Sequence, residues 1–317
     1  MAIQAESGAA RERSQTAPAQ GRFLAGVLTM TGSGISNQIG AGIGAHAFPA
    51  VGPAGVVAVR QIVAAAVLLP AARPPLHRFT WHQWWPALLL GAAIALMNIC
   101  LYTAIQRIGL GLAVTLEFLG PLAIALLRSR TRLDLLCAAF AGGGVYVLVL
   151  PGPSSDLAGI GIAMTGAACW AAYIVLNRVA GQRLPGLQAP AVATAVSLVF
   201  YLPVAAWLLA QGSLAGPALG YSVAAGVLCS VIPYAADLIA LRTVQPGFFG
   251  IYMSINPLLA ALSGTLVLGQ LLVLHEWLGI AIIVATNAAA ILLAGRRSRR
   301  SVPAGRGNPR TLPASRE

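Results

Sequence analysis

The chain has 317 residues, of which 58% are hydrophobic and 9% charged, whereas a soluble domain carries about a quarter charged residues. That balance excludes an ordinary soluble globular protein and indicates an integral membrane protein. The formal net charge is +12 and every basic residue is arginine; the arginines sit between apolar segments and in the tail, which is a topological pattern and not a nucleic-acid-binding face.

Residues 1–22 are polar and Arg-containing, and predict a solvated, disordered tail. Arg22 ahead of an apolar stretch, with Ala45-His46-Ala47 beyond it, resembles a cleavable leader. The stretch is longer than a leader's apolar core and contains Asn37 and Gln38, so a retained span is expected. About 20 apolar residues cross a bilayer, and continuous runs of that length cross it as helices. Breaks at Pro, Gly and Arg clusters predict ten spans: 23–45, 53–72, 84–105, 109–128, 133–150, 157–178, 189–210, 217–240, 247–269 and 274–294. An Arg-rich disordered tail, 295–317, follows. With the N-terminus inside, 18 of the 20 arginines fall in inner segments, Arg107 alone falls outside, and Arg60 lies within the second span. Both termini are therefore expected in the cytoplasm.

Shifted by 136 residues, "GLGLAVTLEFLGPLAIAL" (109–126) lies over "QPGFFGIYMSINPLLAAL" (245–262), with Gly111 on Gly247 and Pro121 on Pro257. Five spans per half is an odd number, so the second copy is inverted. The expected fold class is thus all-α, with ten transmembrane helices in two inverted five-helix repeats, 23–150 and 151–294. Inverted repeats characterise secondary transporters, whose site lies near the midplane at the repeat interface.

At 1.5 Å per residue, Asn37, Arg60, Asn98 and Glu117 each lie about 10–12 Å from the outer ends of four different helices. Tyr234, Asn256 and Trp170 lie about 9–13 Å from the inner ends of theirs. Two polar layers would then flank the midplane, where a solute and a proton could be held. Each residue also has a plainer role open to it. Glu117 and Arg60 share a depth and could neutralise each other as a structural ion pair, or the carboxylate could change protonation during transport. Asn37, Gln38 and Asn98 suit interhelical hydrogen bonding as well as solute contact. Trp170 and Tyr173, one turn apart, suit packing or a cavity wall, and Tyr234 and Asp237 share a helical face near Arg242. Pro121 and Pro257 predict local helix irregularity. Gly32, Gly34, Gly40, Gly42 and Gly44 make the first helix thin, suited to close packing.

No phosphate-binding loop of the G-x-x-x-x-G-K-[ST] kind occurs, nor any H-E-x-x-H helix. The four cysteines stand singly, without C-x-x-C spacing. No cofactor, no metal and no enzymatic activity are expected; the anticipated partners are a small-molecule substrate, protons and the lipid bilayer, and nothing in the sequence specifies an oligomeric state.

The order of spans with "TLEFLGPLAIAL" in the fourth resembles the drug/metabolite transporter superfamily, EamA branch. Within it, "VGPAGVVAVRQ", "MNICLYTAIQRIGLGLAVTLEFLGPLA", "ACWAAYIVLNRVAG", "IPYAADLIALRTV" and "SINPLLAALSG" are similar to bacterial threonine/homoserine exporters, from about residue 28 to 292. The resemblance implies export of small amino acids or related polar metabolites across the bacterial inner membrane, driven by proton entry, and points to Glu117, Asn98, Tyr102, Arg60, Trp170, Tyr173 and Tyr234. The chain departs from that pattern in carrying Asn256 before the ninth-span proline and Gln270 after the following glycine, where such proteins usually carry Glu. Other functions the sequence leaves open are export of drugs, nucleosides or aromatic metabolites, and a non-transporting membrane receptor or assembly subunit.

Overall fold

The computed structural model describes residues 26–127, 132–150, 156–233, 236 and 253–300, and among these every regular element is helical. Both outermost tails, 1–22 and 301–317, lie outside the described residues. In chain order the helices are α1 (26–45), α2 (Phe48–Ala72), α3 (Trp81–Ile108), α4 (Leu110–Glu117), α5 (Leu119–Leu127) and α6 (Arg132–Val149). Then come α7 (Leu157–Gly181), α8 (Gln188–Ala210), α9 (Gly216–Gly226), α10 (Asn256–Leu268) and α11 (Leu274–Arg300). Among the described residues, α2, α3, α7 and α8 are long and apolar enough to cross a membrane.

Local chemistry explains where these helices start and stop. A capping box opens α3: Thr80 takes the N-cap, and its backbone N–H donates to Gln83 Oε1 at 3.1 Å. Gly109, at φ +85°, separates α3 from α4, a left-handed conformation that favours glycine. Asp156 caps α7 by accepting the Gly159 N–H at 2.9 Å.

The fourth expected span is two helices rather than one, with Phe118 as a turn residue between them. Pro121 has no N–H to offer the carbonyl four residues back, at Glu117, so the helical ladder is interrupted there. The bond from Leu122 N–H to the Phe118 carbonyl is correspondingly long, 3.5 Å. Around the other proline, Ser254 and Ile255 form a turn and α10 starts at Asn256, with Pro257 in its first turn. The eighth expected span is likewise irregular: α9 passes into a π-helical turn over Val227–Val231. At the C-terminus α11 runs to Arg300, past the expected end at 294, because Ala, Leu and Arg are good helix formers and no Pro intervenes before Pro303.

Packing follows the small residues. Helix α3 lies against α7 and α8, α2 against α8 and α9, α4 against α10, and α6 against α11. Gly40 of α1 abuts Leu228 and Cys229, Gly91 of α3 abuts Val196 and the Ala193 carbonyl, and Gly120 abuts the Ala167 carbonyl. Such contacts let backbones approach closely where water drives nothing together. The packed centre includes Val56, Val57, Tyr102, Leu110, Leu116 and Ile283, all essentially without exposure. Leu266, Leu271, Leu274, Phe140 and Trp207 project outward instead, giving the apolar exterior that hydrocarbon requires.

A methyl group at Gly120 has nowhere to go but into the Ala167 carbonyl, whereas nothing lies near Gly142. Gly120→Ala should therefore destabilise the protein by about 1–3 kcal/mol through overpacking, read as a lower melting temperature in detergent. Gly142→Ala should leave it unchanged or slightly higher.

Candidate functional site

The helices enclose a polar cavity with two lobes that share Asn37, Arg60, Met97, Asn98, Met253 and Asn256 in their walls. The larger lobe, about 240 Å³, adds Met30, Ser33, Gln61, Tyr173, Thr194, Cys229 and Ser230. It extends toward the first turns of α1 and α8 and the last turns of α2 and α7. The smaller, about 180 Å³, adds Gln38, Tyr102, Glu117, Phe118 and Trp170. Nine residues proposed from sequence, Asn37, Gln38, Arg60, Asn98, Tyr102, Glu117, Trp170, Tyr173 and Asn256, thus meet around one space. Tyr234 and Asp237, also proposed, lie outside the described residues.

Arg60 is held by two other helices. Its Nε–H donates to Ser230 Oγ at 3.3 Å, Nη1 to the Tyr102 hydroxyl at 3.4 Å, and Nη2 to the Cys229 carbonyl at 3.4 Å. The guanidinium also lies 5.5 Å from the Tyr102 ring centre, within cation–π range. Pro233, four residues after Cys229, has no N–H to offer the Cys229 carbonyl, which is left for the guanidinium; it lies just beyond the π-helical turn, an irregularity frequent at functional sites. The same turn is stitched to α1: Ser36 Oγ donates to the Leu228 carbonyl at 2.9 Å, and Cys229 Sγ–H to the Asn37 carbonyl at 3.1 Å. Cys229, expected only to pack, therefore helps to build the site.

Glu117 ends α4 at the break before Phe118. It is 5% exposed, and its Oε1 is buried with no hydrogen-bond partner. Asn256, at the start of α10 and 7% exposed, has the same deficit at Oδ1, while its Nδ2–H donates to Met253 Sδ at 3.1 Å. Asn98 Nδ2–H donates to its own helix at the Ile94 carbonyl, 2.8 Å away. Phe118 meets Trp170 edge-on, with ring centres 4.6 Å apart. Among the described residues, no group of three His, Cys, Asp or Glu side chains is placed to hold a metal.

At the opposite end from the larger lobe, the bundle is cross-linked. The His46 Nε2–H donates to the Val267 carbonyl at 3.1 Å, and its ring lies against Tyr221. Leu110 N–H donates to Gln270 Oε1 at 2.9 Å, so Gln270 caps α4. At this one of the two positions where the sequence departs from the resembling exporters, the side chain's contact is a helix cap. Arg107 and Asp156 form a two-pronged ion pair at 2.8 and 2.9 Å. Sequence reasoning did not single out this pair, nor Gln61, Met97, Thr194 and Ser230 in the cavity wall. For Gln61 a signal was present, since it directly follows Arg60. For Arg107, its standing as the lone outer arginine was the clue.

Among the described residues, an apolar helical bundle lines a cavity with polar side chains in its walls, an architecture suited to a membrane-embedded solute transporter. A family model described as the EamA-like transporter family matches residues 157–292. The chain is 34% identical over 260 residues to the threonine/homoserine exporter RhtA of Salmonella typhimurium, covering 81% of this chain and 88% of that protein. To the threonine/homoserine exporter RhtA of Escherichia coli K12 it is 32% identical over 267 residues, covering 83% and 90%. An uncharacterized transporter, YwfM of Bacillus subtilis, is 25% identical over 220 residues, covering 66% and 73%. One solved crystal structure, 20% identical, superposes with a TM-score of 0.54 over 84% of this chain and 97% of its own, and so shares the fold. The chain belongs to the EamA-like transporter family.

The hydrogen bonds from Arg107 hold the Asp156 carboxyl below the usual carboxylate range, with the Gly159 N–H adding to the effect. A carboxylate with a lowered folded-state value stabilises the fold above its unfolded value of about 3.9, and that contribution disappears as pH falls through the folded value. Asp156→Asn should therefore lower the melting temperature slightly at neutral pH, with the difference from wild type vanishing as pH falls through the lowered folded-state value. A difference that persisted in acid would assign the effect to the loss of shape instead.

Proposed function

We propose that the protein is a secondary-active exporter of small, zwitterionic polar metabolites of the threonine or homoserine kind across the bacterial inner membrane. In this reading ten spans form two inverted five-helix halves, 23–150 and 151–294, with both termini in the cytoplasm, and proton entry drives export by alternating access. The observation that carries it is the cavity whose walls include both a guanidinium, Arg60, and an acidic side chain, Glu117. A zwitterion needs one group of each sign. The carboxylate is also the cavity group able to take up a proton when the solute has left.

Three observations support the architecture. Residues 118 and 254, separated by the repeat shift of 136, are both turn residues at a helix break. The helix pairings are those of an exchange of halves: α2 with α8, the α4 arm with α10, and α6 with α11 each pair a span with its counterpart, while α3 with α8 is mirrored by α2 with α9. The larger lobe extends toward helix ends that the arginine count assigns to the cytoplasm, and the cross-linked end is the one assigned outside. The chain's 32% and 34% identity to threonine/homoserine exporters supports the solute class.

Purified protein in liposomes should move labelled threonine or homoserine when a proton gradient is imposed. Glu117→Gln should abolish the response to the gradient by at least about tenfold while solute exchange at saturating concentration persists; a tenfold effect corresponds to about 1.4 kcal/mol. Failure to move any amino acid would sink the solute class, and a gradient response intact in Glu117→Gln would sink the assigned proton carrier.

A further inference from the structure

Several polar side chains in the cavity wall are engaged by the protein itself. Arg60 donates to Ser230, Tyr102 and the Cys229 carbonyl, and the Asn98 amide nitrogen donates to the Ile94 carbonyl. Gln61 is different. It lies within α2, lines the larger lobe and is only 4% exposed, yet its amide makes no hydrogen bond among the described residues. Five side-chain atoms among those residues are both partnerless and sealed from open space: Glu117 Oε1, Ser197 Oγ, Asn256 Oδ1 and the two amide atoms of Asn287. The Gln61 amide is not in that set. Its oxygen and nitrogen therefore keep open surface, and the open space beside this otherwise buried side chain is the lobe whose wall it forms. One residue on from Arg60 is about 100° further round the helix, so the guanidinium and the amide address different parts of the wall.

An amide at a wet cavity wall is satisfied by water. Once a solute displaces that water, the amide is either met by the solute or left unpaired, which is unfavourable. A primary amide offers an acceptor oxygen beside a donor nitrogen; an ammonium only donates, a carboxylate only accepts and a methyl does neither, whereas a hydroxyl does both. We infer that Gln61 is a specificity-determining residue that receives the hydroxyl of the solute's side chain, and so selects hydroxylated amino acids over apolar isosteres. Shape alone separates such isosteres weakly, while a wall group left unpaired by the wrong solute separates them well. The inference rests on the exporter reading for the solute class and deepens it by assigning the end of the solute that enters the larger lobe.

The test is calorimetric titration of the full-length protein in nanodiscs with L-homoserine and L-norvaline, which carries a methyl where homoserine carries its hydroxyl. Wild type should bind homoserine about tenfold more tightly, the size expected when one buried polar group is paired by one ligand and orphaned by the other. Gln61→Met keeps the length of the side chain and removes the amide, so the preference should disappear, chiefly through loss of homoserine affinity. A role confined to packing would weaken both ligands alike and leave their ratio standing. Should Gln61→Met fail to fold, Gln61→Asn decides, because it keeps the amide but withdraws it by a methylene, and the preference must narrow. The role of Gln61 is overturned if wild type binds the two amino acids equally, or if the preference survives intact in the folded variant. Binding of neither amino acid would remove the proposed solute class itself, and the assignment of Gln61 with it.

Discussion

Inside a bundle whose outer face meets hydrocarbon, a polar group must find its partner within the protein, because no water is at hand to supply one. This constraint governs more of the structure than apolar packing does. Arg60 shows it most clearly. A guanidinium carries five donors in a fixed fork, and the three donor nitrogens are met by a serine, a tyrosine and a backbone carbonyl from two different helices. The backbone carbonyl lies in a π-helical turn and four residues before Pro233, which has no N–H to bond it. The glycines of α1 follow in turn. Gly40 lets α1 close on Leu228 and Cys229, and the bonds from Ser36 and Cys229 then fasten α1 to the same turn.

The same constraint separates structural polar residues from candidate site residues. Thr31, Thr115, Thr165, Ser222, Thr265 and Thr286 each donate to the carbonyl four residues earlier in their own helix. These hydroxyls are satisfied locally, and they need nothing from a ligand. Asn98 does half of this through Ile94. Glu117 and Asn256 do not, and both sit beside a helix break made by a proline, where the backbone too is incompletely bonded. Proline thereby does two things at once: it ends the regular ladder and it places the last or first side chain of a helix at the cavity wall.

Much of this was legible in the sequence because it depends on local facts. Long apolar runs specify helices, Pro121 and Pro257 specify breaks, and a carboxylate or guanidinium within an apolar run stands out without any knowledge of its surroundings. Depth along a helix is also local, which is why residues from α1, α2, α3 and α4 could be assigned to one level. The partners were not legible. Arg60 meets Ser230 and Cys229 across about 170 residues of chain, and Leu110 meets Gln270 across 160; no spacing rule joins such positions. Cys229 read as a packing residue, although Pro233, four residues on, leaves its carbonyl without a helical N–H partner. Gln270 read as a missing carboxylate, whereas the side chain that stands there is engaged in capping α4.

In the proposed repeat, the two prolines also mark where the halves differ. Under the 136-residue shift Glu117 corresponds to Met253, and Gly120 to Asn256. Each half therefore supplies one acceptor where its counterpart supplies none, and Met253 orients the amide of Asn256. Had both halves kept a carboxylate here, two like charges in one small lobe would each disfavour the ionised form of the other. With one acid and one amide at these positions, that repulsion is absent.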